Sequence, residues 1–364
     1  MKCILVTGGA GFIGSHTTLC LLENGFDVIV VDSLFNSYEE SINRVRKIYK
    51  SKNKFSRNNL FFFKVDLCNL NKFEYVFKKA ISLGLKIEGV IHLAGYKSVP
   101  ESIKFPTKYW FNNVRSTLNL IFLLKKYECD ALVFSSSASV YGNNTISPLN
   151  EKSKTNPISP YGKTKLYIED LLKKELDSKQ KGLSIISLRY FNPIGAHHSG
   201  HIGESPRENS SNIFPLMCQI ANQKNKVMNI YGGDWLTRDG SCIRDYIHVM
   251  DLSEAHVMAL DYIINKKKRY ITLNIGTGIG TSVLELIKIF EIVNKVKFNI
   301  TFKSKREGDV PILVADNSLS KKILNWFPKR SIEDMCRDSW NWQQRNPFGF
   351  NSQKDSKKKK FSTE

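Results

Sequence analysis

The stretch Thr7-Gly8-Gly9-Ala10-Gly11-Phe12-Ile13-Gly14 limits what this chain can fold into more than any other feature. It follows an apolar run, Cys3–Thr7, and leads into helical spacing from His16 to Glu23. Gly9, Gly11 and Gly14 satisfy G-x-G-x-x-G, while Gly8, Gly11 and Gly14 satisfy the wider G-x-x-G-x-x-G. Glycine is needed where backbone turns sharply from strand to helix and where it must pass close to a pyrophosphate. The first-turn residues, Phe12 and Ile13 among them, then present unpaired N–H donors to that anion.

The pattern that follows extends this start. Val28–Asp32, Leu60–Val65, Gly89–Leu93, Ala131–Ser135 and Ser184–Arg189 read as further strands. Lys72–Ser82, Tyr109–Lys126 and Tyr161–Leu176 have helical spacing between them. Alternation of this kind predicts an α/β fold with a doubly wound parallel sheet of the Rossmann type. Past Asn192 the chain turns irregular, with Gly, Pro, His and Asn clusters. Residues 1–190 are therefore expected to form a dinucleotide-binding domain. Residues 191–350 form a smaller carboxy-terminal substrate lobe, with some chain returning to the first domain, and 351–364 form a disordered basic tail.

A length of 364 residues, 41% of them hydrophobic and 24% charged, allows two units with a real core. The seven cysteines are scattered singly without a Cys-x-x-Cys pair, which fits a reducing, cytoplasmic compartment better than a disulfide framework or a zinc site. No apolar stretch is long enough to span a bilayer. The net charge of +20 raises nucleic-acid binding as a possibility, but its distribution opposes it. Residues 44–57 hold seven basic residues and no acid, and the tail from Asn351 holds five lysines against two acids. Half of the excess thus lies in two segments that read as a solvated loop or helix end and a frayed terminus. Neither interleaves aromatics as a base-stacking platform would, so no specific nucleic-acid partner is expected.

Asp32 ends the second strand eighteen residues after Gly14, where a carboxylate accepts both hydroxyls of an adenosine ribose. The same charge repels a 2′-phosphate and no arginine adjoins it, which favours NAD over NADP. Asp66, closing the third strand, is placed to bond the adenine amino group. Ala94-Gly95, after the fourth, lets backbone pass close to the cofactor.

Tyr161 and Lys165, in Ser159-Pro160-Tyr161-Gly162-Lys163-Thr164-Lys165, stand one helical turn apart on one face. An ammonium fixed beside the phenol favours the phenolate, so its pKa is expected below the usual value of about 10. A tyrosine so tuned moves a proton while a neighbouring nicotinamide moves a hydride. The serine run Ser135–Ser137 supplies hydroxyls at the end of the strand before this helix.

With these residues placed, the chain resembles the extended short-chain dehydrogenase/reductase superfamily, and within it the UDP-galactose 4-epimerases. TGGAGFIGSH, VIHLAGYK, FSSSASVYG, SPYGKTK, RYFNPIGAH, RDYIHVMDL and REGD match motif by motif from Lys2 to about Pro347. The resemblance implies interconversion of UDP-glucose and UDP-galactose through a 4-keto sugar, with tightly retained NAD. It implies that Asn36, Leu67, Lys97, Asn112 and Phe191 join Gly8, Gly11, Gly14, Asp32, Asp66, Ala94, Tyr161 and Lys165 at the NAD site. Ser137 would bond the sugar O4. Asn192, Asn212, Ile213, Tyr231, Arg244, Arg306 and Asp309 would hold the UDP-sugar, two arginines suiting a pyrophosphate. A homodimer is also implied, through a four-helix bundle joining Tyr109–Lys126 to Tyr161–Leu176.

Related reactions need other residues. A 4,6-dehydratase needs an acid–base pair after its serine strand, and Ala138-Ser139-Val140-Tyr141 supplies no carboxylate. Turnover of UDP-N-acetylhexosamines or UDP-glucuronate stays open from residues alone. Leu313 stands, by resemblance, beside the sugar 2-position and is intermediate in size between open and closed variants. A non-catalytic NAD-loaded binding protein is a more distant reading, opposed by intact Tyr161, Lys165 and Ser137. His197, His198 and His201 read as loop histidines rather than metal ligands, and Trp340 and Trp342 as packing residues.

Overall fold

The computed structural model describes residues 2–52, 59–144, 147–175, 182–207, 212–223, 227–264, 269–306 and 308–351. The first half alternates strands β1 (Cys3–Thr7), β2 (Asp27–Asp32), β3 (Leu60–Lys64), β4 (Ile87–His92), β5 (Ala131–Ser135) and β6 (Ser184–Tyr190) with helices. These are α1 (Phe12–Glu23), α2 (Glu39–Lys52), α3 (Leu70–Ser82), α4 (Val99–Lys104), α5 (Pro106–Lys126) and α6 (Pro160–Lys174). Helix α1 begins at Phe12, earlier than the spacing from His16 suggests, because its first turn is the glycine turn itself.

The second half supplies β7 (Asn192–Ile194), α7 (Ile213–Ala221), β8 (Val227–Tyr231), β9 (Ile243–His248), α8 (Val249–Ile264) and β10 (Tyr270–Ile275). It continues with β11 (Gly280–Ser282), α9 (Val283–Asn294), β12 (Asn299–Lys303), β13 (Ile312–Leu313), α10 (Ser318–Leu324) and α11 (Ile332–Arg345). Seven parallel strands form the main sheet in the order β10-β6-β5-β4-β1-β2-β3, so strand β10 returns from the second half to close one edge. Helix α8 returns with it and packs on α1, where Thr17 donates to Ser253 at 3.3 Å.

Alternate strand residues feed two apolar layers. Ile4, Val6, Val28 and Val30 pack under α1, α2 and α8, while Cys3, Leu5, Ile29 and Val31 pack under α3, α5 and α6. A central sheet covered on both faces explains its near-continuous apolar strands. A third apolar cluster joins α7, α9 and α11 with β8 and Tyr246 as the core of the lobe.

Of the two readings of the basic stretch after Arg44, a solvated loop or a helix end, the described part is the helix end, with Lys47, Lys50 and Lys52 exposed. Residues 44–52 belong to α2, whose Ile42, Val45, Ile48 and Tyr49 are buried at helical spacing. Arg44 is no solvated charge. Its guanidinium bonds Glu40, the His201 carbonyl and Asn346, and lies over the rings of Trp342 and Phe350 at 5.7 and 5.0 Å. It thereby ties the last helix to the first domain. The remainder of that stretch, and the basic tail expected beyond Asn351, lie outside the described residues. Trp342 is buried and donates to the Glu204 carbonyl at 3.1 Å, and Trp340 packs edge-on against Phe290. All seven cysteines are free thiols, and no described helix is long and apolar enough to cross a membrane.

Candidate active site

The turn between β1 and α1 forms a cradle that only glycine allows. Gly8 has φ +70°, and a Cβ there would stand 2.7 Å from the Ala94 amide nitrogen. A Cβ on Gly14 would lie 2.2 Å from the Gly8 carbonyl oxygen. Gly11 caps α1 without any side-chain acceptor, which leaves first-turn N–H groups directed outward with no acid in that turn. Donors so placed fit a dinucleotide pyrophosphate.

Asp32 ends β2 as expected, but it also organises the loop around it. Its carboxylate accepts from the Ala10 amide at 3.0 Å, the Leu34 amide at 2.8 Å and the Ser37 hydroxyl at 2.8 Å. Burial raises its pKa, and these bonds work against the rise. The expectation that no arginine adjoins Asp32 holds only along the sequence. Arg207 arrives from the second half, its guanidinium donating to the Ser37 carbonyl at 2.9 Å and lying 4.5 Å from the Tyr38 ring centre. Its amide also donates to Asn36 Oδ1 at 3.0 Å.

Along the adjoining strand ends, Asp66 accepts from the Cys68 amide at 2.9 Å, and Leu67 is buried with its carbonyl bonded by Asn119. Asn112 faces Cys68, and the Ala94 amide reaches the Thr7 hydroxyl at 3.4 Å. Lys97 pairs with Glu204 at 3.0 Å, a partner that motif reading did not supply.

Helix α6 starts cleanly. Ser159 caps it by accepting from the Gly162 amide at 3.1 Å, and Pro160 occupies the first turn. A Cβ on Gly162 would stand 2.8 Å from the Ser139 carbonyl oxygen, so this glycine lets α6 approach the short helical turn Ala138–Tyr141 closely. Tyr161 and Lys165 share one buried face, at 8% and 4% exposure. Lys165 Nζ donates to the Ser135 carbonyl at 2.7 Å and stands 5.9 Å from the Tyr161 ring centre. Ser137 caps the short turn, accepting from the Ser139 amide at 3.1 Å.

The titration expected for this pair is corrected. Burial pushes the Tyr161 phenol up to about 12, against a smaller lowering by its hydrogen bond to Ser137. Burial likewise brings Lys165 down to about 8, with Glu169 acting the other way. In the polypeptide alone, desolvation of the phenolate outweighs the neighbouring ammonium. A cation beside the ring would favour the phenolate, and an oxidised nicotinamide carries that charge.

The residues expected at the nucleotide are spread over β7, β8 and β9, the start of α7 and the segment before β13. Asn192 Nδ2 donates to the Asp245 carbonyl at 3.0 Å, and strands β7 and β13 flank β9. Leu313 pairs in register with Arg244 and packs against the cluster of Ala138, Tyr141 and Phe191. Arg244 reaches Asp309 at 3.8 Å and donates to the Ile243 carbonyl at 3.0 Å. Tyr231 ends β8 with the Arg306 guanidinium 3.7 Å from its ring centre. Asn212 and Ile213 open α7.

Three buried polar groups were not singled out by the sequence. Asp245 accepts from Thr277, Gly278 and Ala315 and so braces the turn after β10. Glu169 and Arg189 form an ion pair at 2.5 Å, 3% and 6% exposed. Glu169 could have been found by extending the Tyr161–Lys165 spacing one more turn; Arg189 and Asp245 depend on contacts between distant strands. His197 is buried and bonded to Ser199 at 2.7 Å, and among the described residues no cluster of His, Cys, Asp or Glu is arranged to hold a metal.

Comparison with known proteins gives a family model described as GDP-mannose 4,6 dehydratase, which matches residues 5–339. UDP-glucose 4-epimerase 2 of Arabidopsis thaliana is 42% identical over 351 residues, 96% of this chain and 97% of the relative. UDP-glucose 4-epimerase of Bacillus subtilis is 42% identical over 349 residues, 96% of this chain and 99% of the relative. The crystal structure of UDP-glucose 4-epimerase from Bifidobacterium longum in complex with NAD+ and UDP superposes with a TM-score of 0.88. It is 39% identical and covers 96% of this chain and 100% of its own.

Proposed function

We propose that Tyr161, Ser137 and Lys165 carry the reaction of this chain, which belongs to the UDP-glucose 4-epimerases of the extended short-chain dehydrogenase/reductase superfamily: NAD-dependent interconversion of UDP-glucose and UDP-galactose at C4. The observation that carries this reading is the buried phenol of Tyr161 on the same face of α6 as Lys165, whose Nζ donates to the Ser135 carbonyl two residues before Ser137, in a chain that also holds the glycine cradle. Bound NAD supplies a reversible hydride store, so that C4 passes through a ketone and the cofactor ends as it began.

Each side chain then has a defined task. Tyr161, as phenolate, takes the proton of the 4-hydroxyl and later returns it. Ser137 bonds O4 in both its hydroxyl and ketone states and relays the proton. Lys165, anchored on the Ser135 carbonyl, keeps positive charge beside the phenolate. Arg244, Arg306 and Asp309 grip the nucleotide, and Leu313 borders the hexose. A firm hold on UDP with few charged groups at the sugar lets the ketone turn its other face before it is reduced. The 4,6-elimination suggested by the family model's description has no carboxylate in Ala138-Ser139-Val140 to drive it.

The cofactor unit comprises residues 1–190 together with α8 and β10, and the rest of 191–350 forms the UDP-sugar lobe. A second copy of the chain covers the outer face of α5, where Phe111, Leu118 and Phe122 are 57%, 48% and 50% exposed at helical spacing. Free cysteines throughout suit a cytoplasmic setting. Incubating the purified protein with UDP-galactose, without added cofactor, and resolving the products tests the reaction. UDP-glucose is expected; no conversion even when NAD is added refutes it.

A further inference from the structure

The serine run and the catalytic helix meet rung by rung. The Ser135 carbonyl receives Lys165, the Ser136 hydroxyl donates to Glu169, and Ser137 acts on the Tyr161 phenol by lowering its pKa. Tyr161, Lys165 and Glu169 follow one another at four-residue intervals, so all three lie on one face of α6. Glu169 is held in turn by Arg189, which donates Nε to Oε1 at 2.9 Å and Nη2 to Oε2 at 2.5 Å from strand β6. Both members are almost fully buried, and the arginine lies 5.0 Å from the Tyr141 ring centre. A buried ion pair is weak as a stabiliser, because desolving two charges offsets their attraction. Its place beside the lysine calls for another explanation.

We infer that Glu169 is a positioning residue for the reaction, a fixed buried anion that keeps the Lys165 ammonium charged and in register with Tyr161. The inference rests on the epimerase reading above. The other groups around Lys165 cannot replace it. His92 of β4 is bonded on both ring nitrogens, to Thr7 and Thr117, and is held neutral by burial. Tyr190 of β6 is a buried phenol bonded to Ser135. Arg189 is a cation and opposes a second one. From α4, Glu101 is occupied by Lys108 and Tyr109, and from α5, Asn113 bonds Thr164 as a neutral group. Glu169 is the nearby carboxylate on the lysine's own face, and burial has already lowered Lys165 to about 8.

The test titrates Lys165 through its ε-carbon resonance, in the NAD-loaded parent and in Glu169→Gln, together with the pH profile of kcat for UDP-galactose. Loss of the carboxylate should move the lysine titration down by about one pH unit or more. The alkaline limb of kcat should fall by the same amount, and Glu169→Asp should recover part of both. A purely structural role would lower the melting temperature and leave both titrations in place, which overturns the inference. Should Glu169→Gln fail to fold, Glu169→Asp is read alone, since it draws the carboxylate back by one methylene. It should move the lysine titration down by a smaller amount, and no shift or an upward one counts against the inference. A parent that does not convert UDP-galactose sinks the epimerase reading, while the resonance alone still tests Glu169.

Discussion

Mild acid should destabilise this protein through its buried histidines. His16, His92 and His256 are inaccessible or nearly so, and burial lowers them to about 4, 3 and 4. His16 and His256 each donate Nδ1–H to a carbonyl one turn back, of Phe12 and Leu252, and leave Nε2 without a partner. Protonating Nε2 of His256 would bury a charge with nothing to receive its hydrogen, and at His16 the nearby Ile202 backbone offsets only part of the burial. The unfolded chain binds these protons near the ordinary value of about 6.5 and the folded chain does not, so stability is complete above that pH and falls below it. Between about pH 7.5 and about pH 5.5 each histidine contributes a loss of about 1.3 kcal/mol, about 4 kcal/mol for the three. Asp32 and Asp245, raised by burial, act in the opposite sense at lower pH, so the window stops there. Urea unfolding at the two pH values, on the parent and on His256→Leu, measures the effect. The variant should show a fall smaller by about 1.3 kcal/mol. Equal falls in parent and variant, or no fall in the parent, would refute the burial reasoning.

Tyr161→Phe should lose about a hundred- to ten-thousand-fold in kcat while retaining its NAD, because it removes only the proton-transferring hydroxyl. Gly14→Ala would gain about 1 kcal/mol of helix propensity, yet its Cβ meets the Gly8 carbonyl oxygen at 2.2 Å. The first turn must move, and cofactor affinity should drop at least about tenfold, read from NAD released on denaturation and by titration. Phe122→Asp places a charge on the exposed apolar face of α5 and should convert a dimer to monomer in sedimentation, with an unchanged circular dichroism spectrum. Leu313→Tyr should depress turnover of UDP-N-acetylglucosamine relative to UDP-glucose; an unchanged ratio removes Leu313 from the sugar pocket.

The six strands of the first half were legible because each is a short apolar run ending in a polar residue or a turn. Strand β10, Tyr270–Ile275, has similar composition, but only its pairing with β6 makes it part of the same sheet. Helix α2 was hidden by lysine and arginine, although Ile42, Val45 and Tyr49 already held the spacing of a buried stripe. At the site, the motif residues could be numbered from sequence, whereas the sign of the Tyr161 shift could not. Four-residue spacing shows that two side chains are neighbours; it does not show how much water the fold removes from them. Arg207 beside the Asp32 loop, Glu204 on Lys97 and Arg189 on Glu169 are each contacts between distant segments, beyond the reach of local pattern.

The chain leaves the main sheet after β6, returns for α8 and β10, and leaves again toward the lobe. The two departures run side by side, since the Phe191 amide donates to the Ile275 carbonyl at 3.2 Å. The bond therefore fixes the spacing of the two strand ends where the main sheet gives way to the lobe, two residues along from the Arg189–Glu169 ion pair behind α6.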